Sequence, residues 1–233
     1  MSGFQRFRNK LLVLLAFAAF AGLGFSVFDG WTIFRPEDIP PQEDAGYEPQ
    51  ETTPTAYLAP ASISVAFTPE VQYWGEDIVA WAQAYQLDPN LIATVMQIES
   101  CGDPNAISPA GAAGLFQVMP YHFAEGENAL DPDTNALRGV AYLAESLGRA
   151  NGHVGLALAG YNGGPGAIVQ GWSSWTVETR YYFRWGSGIY REVASGWEAS
   201  PTLAAWLQAG GASLCEQAAL SQQALAGEQA AGR

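Results

Sequence analysis

A mostly α fold is predicted by three features of this sequence. Apolar residues recur at helical spacing from about Trp74 to the end of the chain. The strict alternation that marks strands is scarce, apart from a short piece near Gly114 to Met119. Asp-Pro pairs at 88–89 and 131–132 supply an N-cap followed by a first-turn proline. Together they indicate a single domain of about 150 residues, large enough for one core. It is preceded by an apolar N-terminal segment and a linker rich in proline and acid.

Arg6, Arg8 and Lys10 precede Leu11–Phe28, a run without charge. Such a run is an export signal or a membrane anchor, assigned to residues 1–30, and the charge bias places the chain from residue 30 onward outside the cytoplasm. Residues 31–70 hold Pro36, Pro40, Pro41, Pro49, Pro54, Pro60 and Pro69 among acids. Few apolar groups offset ordering there, so an extended linker is expected. The alternative is that its end wraps the next domain through Tyr57, Leu58 and Phe67. Residues 71–233 form the domain.

Its first helix places Ile78, Trp81, Ala82 and Tyr85 on one face. A second carries Ile92, Val95, Met96 and Glu99 on one face and stops at Gly102. Leu137, Val140, Ala141, Ala144 and Leu147 keep helical period after Asp131-Pro132. Helices over His153–Tyr161 and Val177–Val193 come next, then a short turn around Leu203–Leu207. The Ala/Gln-rich tail from Ser213 is expected to be a helix that frays.

The net charge is −13 and Lys10 is the only lysine. No basic patch neutralises phosphates, which argues against nucleic acid as a partner. His122 and His153 stand alone without ligand spacing, so neither a metal site nor a cofactor is indicated. Cys101 and Cys215 are an even pair in an exported chain, which suggests a disulfide; two separate thiols are the alternative.

Glu99 is the residue that points most strongly to chemistry. It lies on an apolar stripe in a helix's last turn, where burial and the helix dipole both disfavour the carboxylate. A carboxyl kept protonated near neutral pH suits general-acid catalysis. The alternative is a frayed end with Glu99 turned into water. Downstream, Ser108-Pro-Ala-Gly111-Ala-Ala-Gly114-Leu-Phe-Gln117 lets the backbone pass close to a ligand or to the Glu99 helix. The Gln117 amide needs partners, from a sugar or from its own turn. Tyr161-Asn162 end an apolar helix before a glycine-rich loop, which is either a sugar-facing mouth or an ordinary helix end. Glu178 sits in a first turn, where a capping role is the usual one. Trp172, Trp175, Trp185, Tyr190 and Trp197 either line a saccharide groove or fill core.

In order and spacing, Glu99-Ser100, then Ser108 and Gly114-Leu-Phe-Gln117 with Met119-Pro120, then Tyr161-Asn162 with Gly164-Pro165, and finally Glu178-Thr179 with Tyr182 resemble the soluble-lytic-transglycosylase-like family. That family shares its fold with goose-type lysozyme, and the resemblance runs from about Trp74 to Arg191. Phe116 stands where methionine is common, and Gly160 and Gly163 replace alanines. The resemblance implies a lysozyme-like α domain acting on peptidoglycan glycan strands. It would cleave the β-1,4 bond between N-acetylmuramic acid and N-acetylglucosamine and leave 1,6-anhydromuramyl ends. By that resemblance Glu99 is the catalytic acid, while Ser108, Gln117 and Met119 contact glycan. Tyr161 and Asn162 orient the acid and hold sugar, and Ser100, Glu178 and Tyr182 support them. No second acid is evident beyond Asp103 and Glu178. The alternatives are a muramidase on the same fold and a non-catalytic peptidoglycan-binding module. The expected location is the cell envelope, with the membrane as a further partner if residues 11–28 are retained.

Overall fold

The computed structural model describes residues 61–231; the apolar segment and most of the linker lie outside them. Among the described residues the structure is helical. Its helices are α1 (Pro69–Gln72), α2 (Gly75–Tyr85), α3 (Pro89–Glu99), α4 (Pro132–Arg149), α5 (Val154–Gly163), α6 (Pro165–Val169), α7 (Val177–Ala194), α8 (Pro201–Trp206) and α9 (Ala212–Ala231). The piece near Gly114–Met119 is not a strand. Ala113 makes isolated antiparallel bridges to Ile107 and to Val118, because its glycine-rich loop folds back on itself rather than pairing with a neighbour.

Both Asp-Pro pairs start helices as their chemistry requires. Asp88 accepts from Asn90 N and Asp131 from Thr134 N, each with proline in the first turn. The Glu99 helix is capped by Ser100, and the left-handed backbone begins one residue before Gly102, at Cys101 with φ 52°. Gly164, at φ 79°, separates α5 from α6. The segment after it, expected as loop, turns a short helix because Pro165 is preset for a first turn.

Helix α3 is nearly all buried and packs between α2 and α7, while α5 packs against α4 and α7. Ile78, Leu91, Ile92, Met96, Leu115, Phe116, Leu143, Leu158 and Ile189 fill the core. Each such side chain withdrawn from water contributes about 1.5–3 kcal/mol before entropy is counted. The packed body starts earlier than the expected boundary at 71. Ile63 and Phe67 are buried in the core, and Ser64 N donates to Asn90 Oδ1. Ile63 and Phe67 thus seat this non-helical stretch against the core, while Tyr57 and Leu58 lie outside the described residues.

At the other end α9 is a continuous helix through Ala231. Its early turns hold buried Cys215, Ala218 and Gln222, and Gln222 Nε2 donates to the carbonyls of Glu70 and Gly102. Cys101 and Cys215 are joined in a disulfide with 5.0 Å between their Cα atoms. The bond ties α9 to the residue two beyond Glu99, and Gln97 Nε2 donates to Cys101 Sγ at 3.0 Å. No helix among the described residues is long and apolar enough to cross a membrane.

Candidate active site

The end of α3 aims Glu99 at α7. Every neighbour of Glu99 on α3 is buried, while Glu99 itself keeps partial exposure. Its carboxyl is pushed up to about 8, chiefly by burial, with the charge of Glu178 adding to the rise. The Tyr182 hydroxyl opposes the shift by favouring the ionised form. That hydroxyl is buried and faces the Glu99 carboxyl, short of full hydrogen-bond geometry. Near neutral pH Glu99 therefore carries its proton, and the frayed-end alternative does not describe this helix.

Tyr161, Tyr182 and Glu178 act on this carboxyl, and the other sequence-selected residues lie on α5, α7 and the loop between α3 and α4. From α5, the Tyr161 hydroxyl donates to Phe116 O at 2.8 Å, and its ring stacks on Tyr182 with centroids 6.4 Å apart. The negative charge of Glu99 reaches this phenol and helps raise its pKa well above the ordinary value, second to burial. Asn162 is fixed from α7: Thr179 Oγ1 donates to its Oδ1 at 2.9 Å, and its Nδ2 donates to Glu178 Oε1 at 3.4 Å. A Cβ added at Gly163 would lie 2.8 Å from Thr179 Oγ1, and one at Gly160 would lie 2.6 Å from Ile168 Cδ1. The two glycines that depart from the family pattern thus make room for Thr179 and Ile168 of this chain.

The loop between α3 and α4 supplies the third side. Ser100 Oγ donates to Leu115 O at 2.7 Å and accepts from Gly102 N at 3.1 Å, which locks the loop to the helix end bearing Glu99. Ser108 Oγ accepts from Ala112 N within its own turn. Gln117 is held left-handed at φ 46°, a conformation that costs a non-glycine residue on the order of 1 kcal/mol or more. Its Nε2 donates to the carbonyls of Ala106 and Gly114. Of the two partners considered for this amide, the turn supplies those of its NH2 group. Met119, half-buried, leads into the 3-10 turn Pro120–His122.

Two parts of the arrangement are not signalled by the motifs. Asn135 on α4 is fully buried; its Nδ2 donates to Ala113 O and Ala129 O, and its Oδ1 accepts from Phe116 N. It clamps the whole loop from behind. Its signal in the sequence is a lone amide four residues before Gly139, where a Cβ would overlap that of Phe116. Tyr142, also on α4, sets its ring centroid 5.5 Å from that of Tyr161, tilted by 52°. By contrast, Trp175 is core, donating to Ala167 O and Gln170 O. Trp185 and Tyr190 pack on the core, and Trp172 lies under the guanidinium groups of Arg180 and Arg184. The aromatic face that reaches Glu99 is built of tyrosines instead.

Of the two candidate second acids, Asp103 is buried and accepts from Asn105 N in its own turn. Glu178 is exposed and acts on Glu99 through charge. Glu70 approaches Cys101 and Cys215, but the disulfide occupies both sulfurs. The arrangement is thus one buried protonated acid, flanked by phenols and an amide, with an exposed carboxylate nearby. It suits donation of a proton to a polar, uncharged leaving group.

Residues 76–176 match the family described as Transglycosylase SLT domain. The chain is similar to a transglycosylase of Enterobacteria phage PRD1, 40% identical over 111 residues, covering 47% of this chain and 40% of that protein. It is also similar to the membrane-bound lytic murein transglycosylase C of Klebsiella pneumoniae, 30% identical over 117 residues, covering 42% of this chain and 32% of that one. The Haemophilus influenzae protein of the same name is 31% identical over 109 residues, covering 38% and 30%. The chain spans well under half the length of these curated relatives. The solved structure of an inactive variant of the lytic transglycosylase Slt of Pseudomonas aeruginosa is 26% identical, with a TM-score of 0.44, over 54% of this chain and 24% of that one.

Proposed function

We propose, on the premise that residues 76–176 belong to the transglycosylase SLT domain family, that this chain is a peptidoglycan lytic transglycosylase working in the cell envelope. The observation that carries the reading is the Glu99 carboxyl, raised to about 8 chiefly by burial and so held protonated near neutral pH. Glu99 gives its proton to the glycosidic oxygen between N-acetylmuramic acid and N-acetylglucosamine, and oxocarbenium character develops on the muramyl ring. Glycosidases of the ordinary kind bring a second carboxylate, as nucleophile or as base for water. In this chain the substrate's own 6-hydroxyl attacks, and Glu99, now ionised, takes its proton, leaving a 1,6-anhydromuramyl end. An intramolecular hydroxyl of high effective molarity dispenses with a bound water.

The neighbours supply the electrostatics. Tyr182, whose buried hydroxyl faces the Glu99 carboxyl, steadies the carboxylate once its proton has left. Asn162, gripped by Thr179 and Glu178, presents its amide toward the sugar, and Tyr161 fixes the wall through Phe116 O. Ser108, Gln117 and Met119 form the side of the groove that receives the glycan. Residues 1–30, as anchor or export signal, bring the domain to its polymer.

The nearness of Glu178 favours a second reading, a muramidase in which that carboxylate activates water. The masses of muropeptides released from purified peptidoglycan decide between them. Products lighter by one water support the transglycosylase, and hydrated reducing ends support the muramidase. Absence of release by a folded chain supports a non-catalytic binding module.

A further inference from the structure

The turn after Met119 carries two aromatic side chains that the motif does not use. Tyr121 is 75% exposed, yet it stands on a rigid 3-10 turn. Pro120 opens that turn, His122 N donates to Met119 O and Phe123 N to Pro120 O. Phe123 packs onto the core and Pro120 approaches Gly111, so the turn is fastened on both sides. From Tyr121 the rings run inward without a break. Tyr121 meets His122 at 4.6 Å between centroids, His122 meets Tyr142 at 4.9 Å, and Tyr142 meets Tyr161 at 5.5 Å. Tyr161 stacks on Tyr182 beside Glu99. The same order appears electrostatically: Tyr121 acts on the Tyr142 phenol, Tyr142 on Tyr161, and Glu99 on Tyr161.

We propose that Tyr121 and His122 form an outlying saccharide platform of this chain, stacking a sugar of the glycan strand away from the scissile bond. The ring is held by a turn fastened on both sides and is continuous with the tyrosines that lead to Glu99, and its flat apolar face complements the C–H face of a pyranose. The chain's acidity does not oppose an uncharged sugar ring. This inference rests on the transglycosylase reading and adds to it a determinant of strand length.

The test uses the full chain and peptidoglycan glycan strands graded by length. Tyr121→Ala lowers kcat/KM on long strands about two- to tenfold, the range expected for one lost aromatic contact. The shortest cleavable fragment, which does not reach the turn, is cleaved as by the parent. Tyr121→Phe restores the long-strand value because the ring and not the hydroxyl is at work. Equal kcat/KM on long strands for Tyr121→Ala and the parent overturns the proposal. So does a loss that is the same on long and short substrates, or one that phenylalanine does not rescue. A binding arm needs no turnover: in a Glu99→Gln background, Tyr121→Ala weakens calorimetric binding of a long strand by the same factor. If the parent releases no anhydro ends, the transglycosylase reading fails while this arm still decides whether Tyr121 holds sugar.

Discussion

Replacing Glu99 by glutamine probes the physical state of the acid independently of catalysis. Burial and the charge of Glu178 lift its carboxyl from 4.5 to about 8 in the native chain; unfolding returns it to the ordinary value. The native state therefore holds this proton more tightly, so the associated stability is present in full below about pH 4.5. It is lost as pH rises toward about 8. Each tenfold change in proton affinity is worth about 1.4 kcal/mol. Between pH 5 and pH 7 the full shift predicts a loss of about 2–3 kcal/mol from this one group. Because Glu99 as a residue keeps partial exposure, about 1–2 kcal/mol is the expected figure. Glutamine has no proton to lose. Urea unfolding of parent and Glu99→Gln at the two pH values, monitored by tryptophan fluorescence, gives the difference directly. The variant gains about 1–2 kcal/mol on the parent from pH 5 to pH 7, and any constant offset from the amide cancels. A difference that is flat with pH, or that shrinks as pH rises, refutes the claim that Glu99 is protonated because it is buried.

Two substitutions should move the alkaline limb of kcat/KM in opposite directions. Tyr182→Phe removes the group that favours ionised Glu99, so the limb moves to higher pH while the rate falls. Glu178→Gln removes a neighbouring negative charge, so the limb moves to lower pH; pH–rate profiles check both. Gly139→Ala drives a methyl group into Phe116 Cβ and toward the Tyr161 hydroxyl. It should cost about 1–3 kcal/mol by overpacking, seen as a lower urea midpoint. Loss of the Cys101–Cys215 bond, in a double serine variant, should cost about 2–5 kcal/mol. That loss should appear as a fall in thermal midpoint that adding reductant to the parent reproduces.

The helical scaffold was legible because capping and periodicity are local. Asp88-Pro89 and Asp131-Pro132 each begin a helix, and the face of Ile92, Val95, Met96 and Glu99 turns to the core as its spacing requires. What the spacing did not convey was tertiary. Ile63 and Phe67 look like two apolar residues in a proline-rich tract, and only the groove beside Asn90 and Gln97 gives them a seat. The loop near Gly114 has strand-like composition, but Asn135 takes up Ala113 O and Phe116 N from outside the segment and bends it into a clamp. At the site, residue types were readable and partners were not. The Gln117 amide could equally have faced sugar, until Ala106 O and Gly114 O engaged its NH2 group. The tryptophans could have lined a saccharide groove or filled core, and Trp175 fills core, donating to Ala167 O and Gln170 O. The rings beside Glu99 are instead those of Tyr142, Tyr161 and Tyr182, which lie on three different helices and meet only on folding.

The central claim, that the substrate's own hydroxyl rather than water completes the cleavage, is tested most directly by digesting purified peptidoglycan with the full chain in water enriched in heavy oxygen. Intramolecular attack predicts anhydro-ended products that carry no label, and no such products from Glu99→Gln. Muramyl ends that each carry one heavy oxygen would contradict it and transfer the role of base to Glu178.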